Sequence, residues 1–145
     1  MTNRPLRRLL QAGIALAVIA ALYLFRSAPS PAPVTATRSM VTQAFRAGRS
    51  NVEVETGGRV TRVLKDDVAG SPHERFLLRV DGGTSVLVAH NLALAPRVPL
   101  APGDSVEIRG VYEWNDKGGV IHWTHRDPDG RHEAGWIRHE GRVYQ

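Results

Sequence analysis

Hydrophobic and polar positions follow three successive patterns along the chain. Residues 9–25 form an apolar run of 17 residues with Gln11 as its only strongly polar member. Residues 28–37 (Ala-Pro-Ser-Pro-Ala-Pro-Val-Thr-Ala-Thr) replace it with regularly spaced prolines, the composition of an extended tether without packed structure of its own. Ser39 is placed to cap a short helix over residues 40–47, with Val41, Ala44 and Phe45 on one side and Gly48 as its stop. Beyond Gly48 the helical period disappears and period two takes over.

Val52 and Val54 alternate with Glu53 and Glu55, Gly57-Gly58 offers a bulge or sharp bend, and residues 60–64 continue the strand. Residues 66–72 read as a turn-rich loop. Strands are predicted over 75–80 and 84–90, joined by the tight-hairpin sequence Asp81-Gly82-Gly83. Residues 91–103, with Pro96, Pro99 and Pro102, have room for one helical turn at most. Strands return over 104–114 and 119–124, and 135–139 with 142–144 supply a last short pairing. Five main strands, the first bent at glycines and a longer connection between the third and fourth, describe an all-β protein: a small five-stranded OB-like barrel preceded by a short helix. Another small barrel is one rival. A β-sandwich is a second, but it wants about seven strands.

The apolar run changes the picture of where this domain resides. A helix of 17 residues rises about 25 Å, a little short of the ~30 Å hydrocarbon core. It therefore spans with help from its flanks, or serves as the apolar part of a signal peptide. Arg26-Ser27-Ala28-Pro29 puts an arginine and a proline where a signal peptidase disfavours them. Residues 34–36 match a cleavage site better but lie far downstream, so an uncleaved signal anchor is favoured over cleavage and secretion. Arg4, Arg7 and Arg8 before the run, against Arg26 after it, keep the N-terminus in the cytoplasm. The expected organisation is a cytoplasmic tip and transmembrane helix over residues 1–27, a Pro-rich tether over 28–38, and a periplasm-facing β domain over 39–145. The protein would be single-pass in the inner membrane, with the membrane as its partner through residues 9–25. A lone apolar helix in a soluble protein is the bland alternative.

The formal net charge of +5 suggests nucleic acid only until the chain is divided. All 14 acidic residues and 15 of the 19 basic ones follow Arg26, which leaves the exported part at +1. Bulk electrostatics thus supplies no phosphate-binding field, and nucleic acid is not an expected partner. The chain has no cysteine, which excludes disulfides, thiolate nucleophiles and cysteine metal sites.

Candidate chemistry is concentrated between Tyr112 and Trp136, where all three tryptophans and three of the six histidines lie. Asn115-Asp116-Lys117-Gly118 has the signature of a three-residue hairpin loop closing on an Asn115 and Gly119 pair. That register puts Val106, Ile108, Tyr112, Trp114, Val120 and His122 on an inward face. Arg109, Val111, Glu113, Ile121, Trp123 and His125 fall on the outward one. Trp123 and His125 beside Arg109 and Glu113 form a stacking surface with a cation and a carboxylate, the mixture with which such barrels hold sugars or nucleotides. Against this, large aromatics commonly fill a barrel and its rim. His90-Asn91 and His139 can join the surface or serve as structural hydrogen-bonding residues.

A metal site is the competing chemistry. His122, His125, Asp127 and His132 lie within eleven residues, and imidazole with carboxylate in threes suits zinc or another divalent ion. Strand parity sends His122 and His125 to opposite faces, so the metal set reduces to His125, Asp127 and His132. Asp127-Pro128-Asp129-Gly130 also reads as an ordinary β-turn capped by Asp127. No nucleophile elbow, phosphate loop or helical zinc motif is present, and the favoured reading is without cofactor.

Phe76, residues 87–91 (Leu-Val-Ala-His-Asn), residues 94–97 (Leu-Ala-Pro-Arg), Gly103-Asp104, and the block from Tyr112-Glu113-Trp114-Asn115 through residues 118–125 to Asp127-Pro128, His132 and Gly135-Trp136 carry a resemblance. They resemble the bacterial family known as domain of unknown function 3465, over about 100 residues from near Phe45 to the end. The resemblance implies a short exported or anchored protein and transfers no catalytic residue. Arg126 stands where relatives are expected to carry histidine, which weakens a multi-histidine metal site.

The favoured reading is therefore a membrane-anchored, periplasm-facing binding domain. It would hold a small polar or oligomeric ligand, or an envelope protein, through Trp123, His125, Arg109 and Glu113. A metal-dependent hydrolase of phosphoester-type bonds centred on His125, Asp127 and His132 is one alternative, and a structural interaction module of an envelope complex is another. Catalysis is not the favoured class.

Overall fold

The computed structural model describes residues 39–131 and 133–145. The helix expected over residues 9–25 and the tether over 28–38 lie outside the described residues. Within the described residues no helix is long and apolar enough to cross a membrane.

Among the described residues one short helix, α1 (Met40–Arg46), precedes seven strands: β1 (Val52–Val63), β2 (His73–Val80), β3 (Ser85–Asn91), β4 (Ser105–Glu113), β5 (Val120–His122), β6 (Trp136–His139) and β7 (Arg142–Tyr144). The chain is all-β around a closed five-stranded barrel, in the order β1-β2-β3-β5-β4 with β4 pairing back to β1. All these pairings are antiparallel except β3 with β5. The β6–β7 hairpin extends the sheet from the beginning of β4.

Closure depends on the glycine bend in β1. Residues 52–59 pair with β4, and the strand then turns across to pair with β2 from Gly58 onward. At the crossing, a Cβ on Gly58 would sit 2.7 Å from the Arg79 carbonyl oxygen and 2.8 Å from Leu78 Cγ, so only glycine fits. The bulge itself falls two residues later, between Val60 and Arg62.

Alternation decides the core. Glu74, Phe76, Leu78 and Val80 of β2 point inward, as do Val86, Val88 and His90 of β3. Helix α1 closes the barrel beside the 81–83 turn. The Ser39 hydroxyl accepts from Val41 N at 3.2 Å, and the helix side carrying Val41 and Ala44 is fully buried. Thr42 Oγ1 donates to the Asp81 carbonyl at 2.8 Å, which ties the helix to the β2–β3 hairpin.

The β4–β5 hairpin departs from the expected register. Glu113 faces Val120, Tyr112 faces Ile121 and Val111 faces His122, one residue out of step with the pairing expected from the loop sequence. The connection runs over residues 114–119. Its cause is the Asn115 carboxamide, whose Oδ1 accepts both Lys117 N at 2.9 Å and Gly119 N at 3.0 Å, so Asn115 does not pair with Gly119 through the backbone. Trp114 turns outward instead, donating Nε1–H to the Phe45 carbonyl at 3.1 Å.

A one-residue slip exchanges the faces of β5. Ile121, expected on the surface, is fully buried opposite the equally buried Tyr112. Trp114, expected inside, is 43% exposed. Val111 is buried rather than outward-facing, and His122 is only half-buried rather than part of the core. Val106, Ile108 and Tyr112 occupy the core as their alternation predicted.

Candidate functional site

Strand β5 ends at His122 because Trp123 adopts a left-handed backbone, with φ of 54°. For a bulky L-residue this conformation costs roughly 1–2 kcal/mol, so its surroundings must hold it. Two contacts of the neighbouring residues do so. Gly135 N–H donates to the His125 carbonyl at 3.0 Å, and Thr124, fully buried, meets His90 Nδ1 through its hydroxyl at 2.8 Å.

The turn overrides strand parity. His122 and His125, expected on opposite faces, line one cleft together with Trp123, His73, Asn91, Leu94 and Ala89. Its volume is about 300 Å³. The Trp123 and His125 ring centroids are 5.5 Å apart at 40°, and those of His122 and Trp123 are 6.2 Å apart at 55°. His73 and Asn91 are register partners at the end of the β2–β3 hairpin away from its turn, and both line the cleft. Trp123→Gly should retain about 1 kcal/mol more stability than Trp123→Ala in denaturant unfolding. Both lose the indole, but only glycine accepts the left-handed backbone freely. Equal losses would show that the turn carries no strain.

Electrostatics separate the three cleft imidazoles. His73 Nδ1 and His125 Nδ1 each lie 2.7 Å from a backbone carbonyl, those of Ser71 and Arg126 respectively. His122 Nε2 is 3.8 Å from Glu113 Oε1, beyond hydrogen-bond range, and the nitrogen is buried without a partner. Desolvation holds the His122 pKa below its ordinary value despite Glu113, so this ring is neutral at neutral pH.

Residues that alternate with the cleft positions form a buried polar layer. His90 accepts from or donates to Thr124 Oγ1 through Nδ1, and its Nε2 lies 3.2 Å from the Pro96 carbonyl. A carbonyl can only accept, so Nε2 carries the proton and Nδ1 takes the Thr124 hydroxyl. Burial lowers the His90 pKa to about 4. Glu74, opposite His90 in register, is 2% exposed and accepts from Val98 N at 2.9 Å. Burial raises its pKa, partly opposed by that bond and by Arg97, 3.5 Å away.

The other candidate residues lie elsewhere. Arg109 is ion-paired with Glu133, and Glu113 is turned towards His122; neither lines the cleft with Trp123 and His125. Asp127 caps its turn as expected: Oδ1 accepts from Asp129 N at 2.9 Å and Oδ2 from Arg131 N at 2.6 Å. The third residue of the metal set, His132, lies outside the described residues. Among the described residues no three His, Asp or Glu are grouped so that they could hold a metal ion. His139 forms a separate pair with Asp104 at 3.3 Å. His73, like Ala89 and Leu94 a cleft residue not anticipated, was accessible in principle: closing the hairpin at residues 81–83 places position 73 opposite Asn91.

Fold and cleft together define a small all-β barrel domain with an aromatic and imidazole-lined depression on its outer wall. Residues 23–145 match the model of the family described as "Protein of unknown function (DUF3465)", and the chain belongs to that family. The match reaches further towards the N-terminus than the resemblance beginning near Phe45. A comparison with curated proteins gives no match.

Proposed function

We propose that the chain is a membrane-anchored, periplasm-facing binding domain whose ligand occupies the cleft of His73, Asn91, Trp123 and His125. The barrel is of OB type in this reading, supported by the closed order β1-β2-β3-β5-β4 and the parallel β3–β5 pair. Anchoring and orientation are supported by the apolar run at residues 9–25 and by the three arginines before it. The observation that carries the binding reading is the left-handed Trp123, a strained non-glycine residue that gathers two imidazoles and an indole at one concavity. The hydrolase reading loses support because both Asp127 oxygens are already engaged in capping a turn.

The test is native mass spectrometry of the full chain released from its membrane, compared with Trp123→Gly and His73→Ala. A co-purifying ligand should be retained by the wild type and reduced at least tenfold, about 1.4 kcal/mol, in each variant. Equal retention by both variants would move the site away from this cleft.

A further inference from the structure

We infer that the cleft receives a hydroxyl-bearing, uncharged saccharide unit; this rests on the binding reading above and names its ligand class. The argument starts from proton inventory. The carbonyl oxygens of Ser71 and Arg126 have no proton to give, so the Nδ1 atoms of His73 and His125 must be the donors in those 2.7 Å contacts. In the neutral form of each ring Nε2 is then an acceptor. His125, expected on the exposed outward face, is only 4% exposed, and its Nε2 is not among the buried, unpartnered side-chain nitrogens of the described residues, which are His122 Nε2 and His139 Nδ1. Asn91 is fixed in the complementary sense: its Oδ1 accepts from Ala93 N at 2.9 Å, which leaves the Nδ2 amide as a donor.

With both rings in that form, the lining carries two acceptors and a donor on side chains fixed by backbone contacts. The described lining of the cleft contains no Lys, Arg, Asp or Glu. A phosphate or carboxylate entering it would lose water without meeting a guanidinium or ammonium in the lining, and an amine would meet no lining carboxylate. Hydroxyl groups match the requirement because each both donates and accepts. The remaining surface is apolar: the Trp123 indole, Ala89, and Leu94, which is 41% exposed. An aromatic face with polar groups at its edge suits the C–H face of a sugar ring, with the hydroxyls reaching sideways. A flat nucleobase fits less well, because the Trp123 and His125 planes are inclined by 40° and cannot clamp it between parallel faces. A volume of about 300 Å³ admits one ring unit rather than a buried chain.

The experiment is saturation-transfer NMR on the full chain in nanodiscs, which avoids sugar-headed detergents. The probes are glucose, galactose and N-acetylglucosamine with their di- and trisaccharides, set against glucose 6-phosphate, glucosamine and adenosine. At least one neutral saccharide should show transfer, and His73→Ala and Trp123→Gly should each weaken it tenfold or more. Charged counterparts of that sugar should bind more weakly than the neutral form. Tighter binding of the phosphate, the amine or adenosine at the same cleft overturns the ligand class and leaves the binding reading standing. Absence of transfer from every saccharide overturns the inference, and if mass spectrometry also finds no cleft-dependent ligand, both readings fall together. Transfer that survives both substitutions locates the sugar elsewhere and overturns it as well. Should Trp123→Gly lose its circular-dichroism signature, His73→Ala decides alone.

Discussion

Acidification from pH 7 to pH 4 should remove about 3 kcal/mol of stability through His90 alone. Its pKa is about 4 in the folded protein, against the ordinary 6.5, and each unit of difference corresponds to about 1.4 kcal/mol. The sign follows from proton counting. Between these two values the unfolded chain binds a proton that the folded chain refuses, so protonation favours unfolding. The stabilisation is complete above 6.5 and is lost progressively as the pH falls towards 4. Glu74 acts in the opposite sense: its folded pKa is raised, so its contribution is present below its ordinary value of 4.5 and is lost as the pH rises above that value. Comparison with His90→Gln isolates the histidine, since glutamine can still donate to the Pro96 carbonyl. Urea unfolding at pH 7 and pH 4 should show a much smaller loss in the variant than in the wild type. Equal losses in the two proteins would refute the assignment.

Gly135→Ala should be the most damaging small substitution near the cleft, costing about 3 kcal/mol. A Cβ there would overlap the Trp123 carbonyl oxygen, lie 2.8 Å from its carbon and 2.9 Å from the Arg109 carbonyl oxygen. These are all backbone atoms, so no side-chain rotation relieves the clash. The Trp123 turn would have to move, and the hydrogen bond from Gly135 N to the His125 carbonyl would move with it. Gly130→Ala provides the control. Gly130 has φ of 65° and open space around its Cα, so alanine meets only backbone strain, about 1 kcal/mol. Unfolding midpoints with Gly135→Ala no lower than Gly130→Ala would contradict the packing argument. The same variant should also reduce ligand retention in the mass-spectrometric assay, because it displaces the cleft without altering any cleft side chain.

The structure clarifies why part of this site could be read in advance and part could not. Tight turns are local chemistry, so Asp81-Gly82-Gly83 and the Asp127 cap follow from a few adjacent residues. The β4–β5 loop is equally local in sequence, yet its Asn115 carboxamide competes with the backbone ladder for Gly119 N–H. Spacing does not decide that competition, and its outcome shifts the register by one residue. Parity then misplaced Trp114 and Ile121, and with them the expected division between core and surface. Separating His122 from His125 was sound for a continuous strand and failed because the strand stops at Trp123.

Local pattern by itself determined the all-β class, the capped helix from Met40, the bent first strand, the turns at residues 81–83 and 127–130, and most inward positions. Each depends on neighbours a few residues apart and on the period of the backbone. The tertiary structure alone decided barrel closure, the hairpin register and the convergence of His73, Asn91, His122, Trp123 and His125 on one cleft. That convergence depends on a tryptophan held in a left-handed turn between Gly135 and a buried Thr124–His90 contact. The groups that hold it come from separate parts of the chain and meet only after the barrel has formed, so no local period records the result.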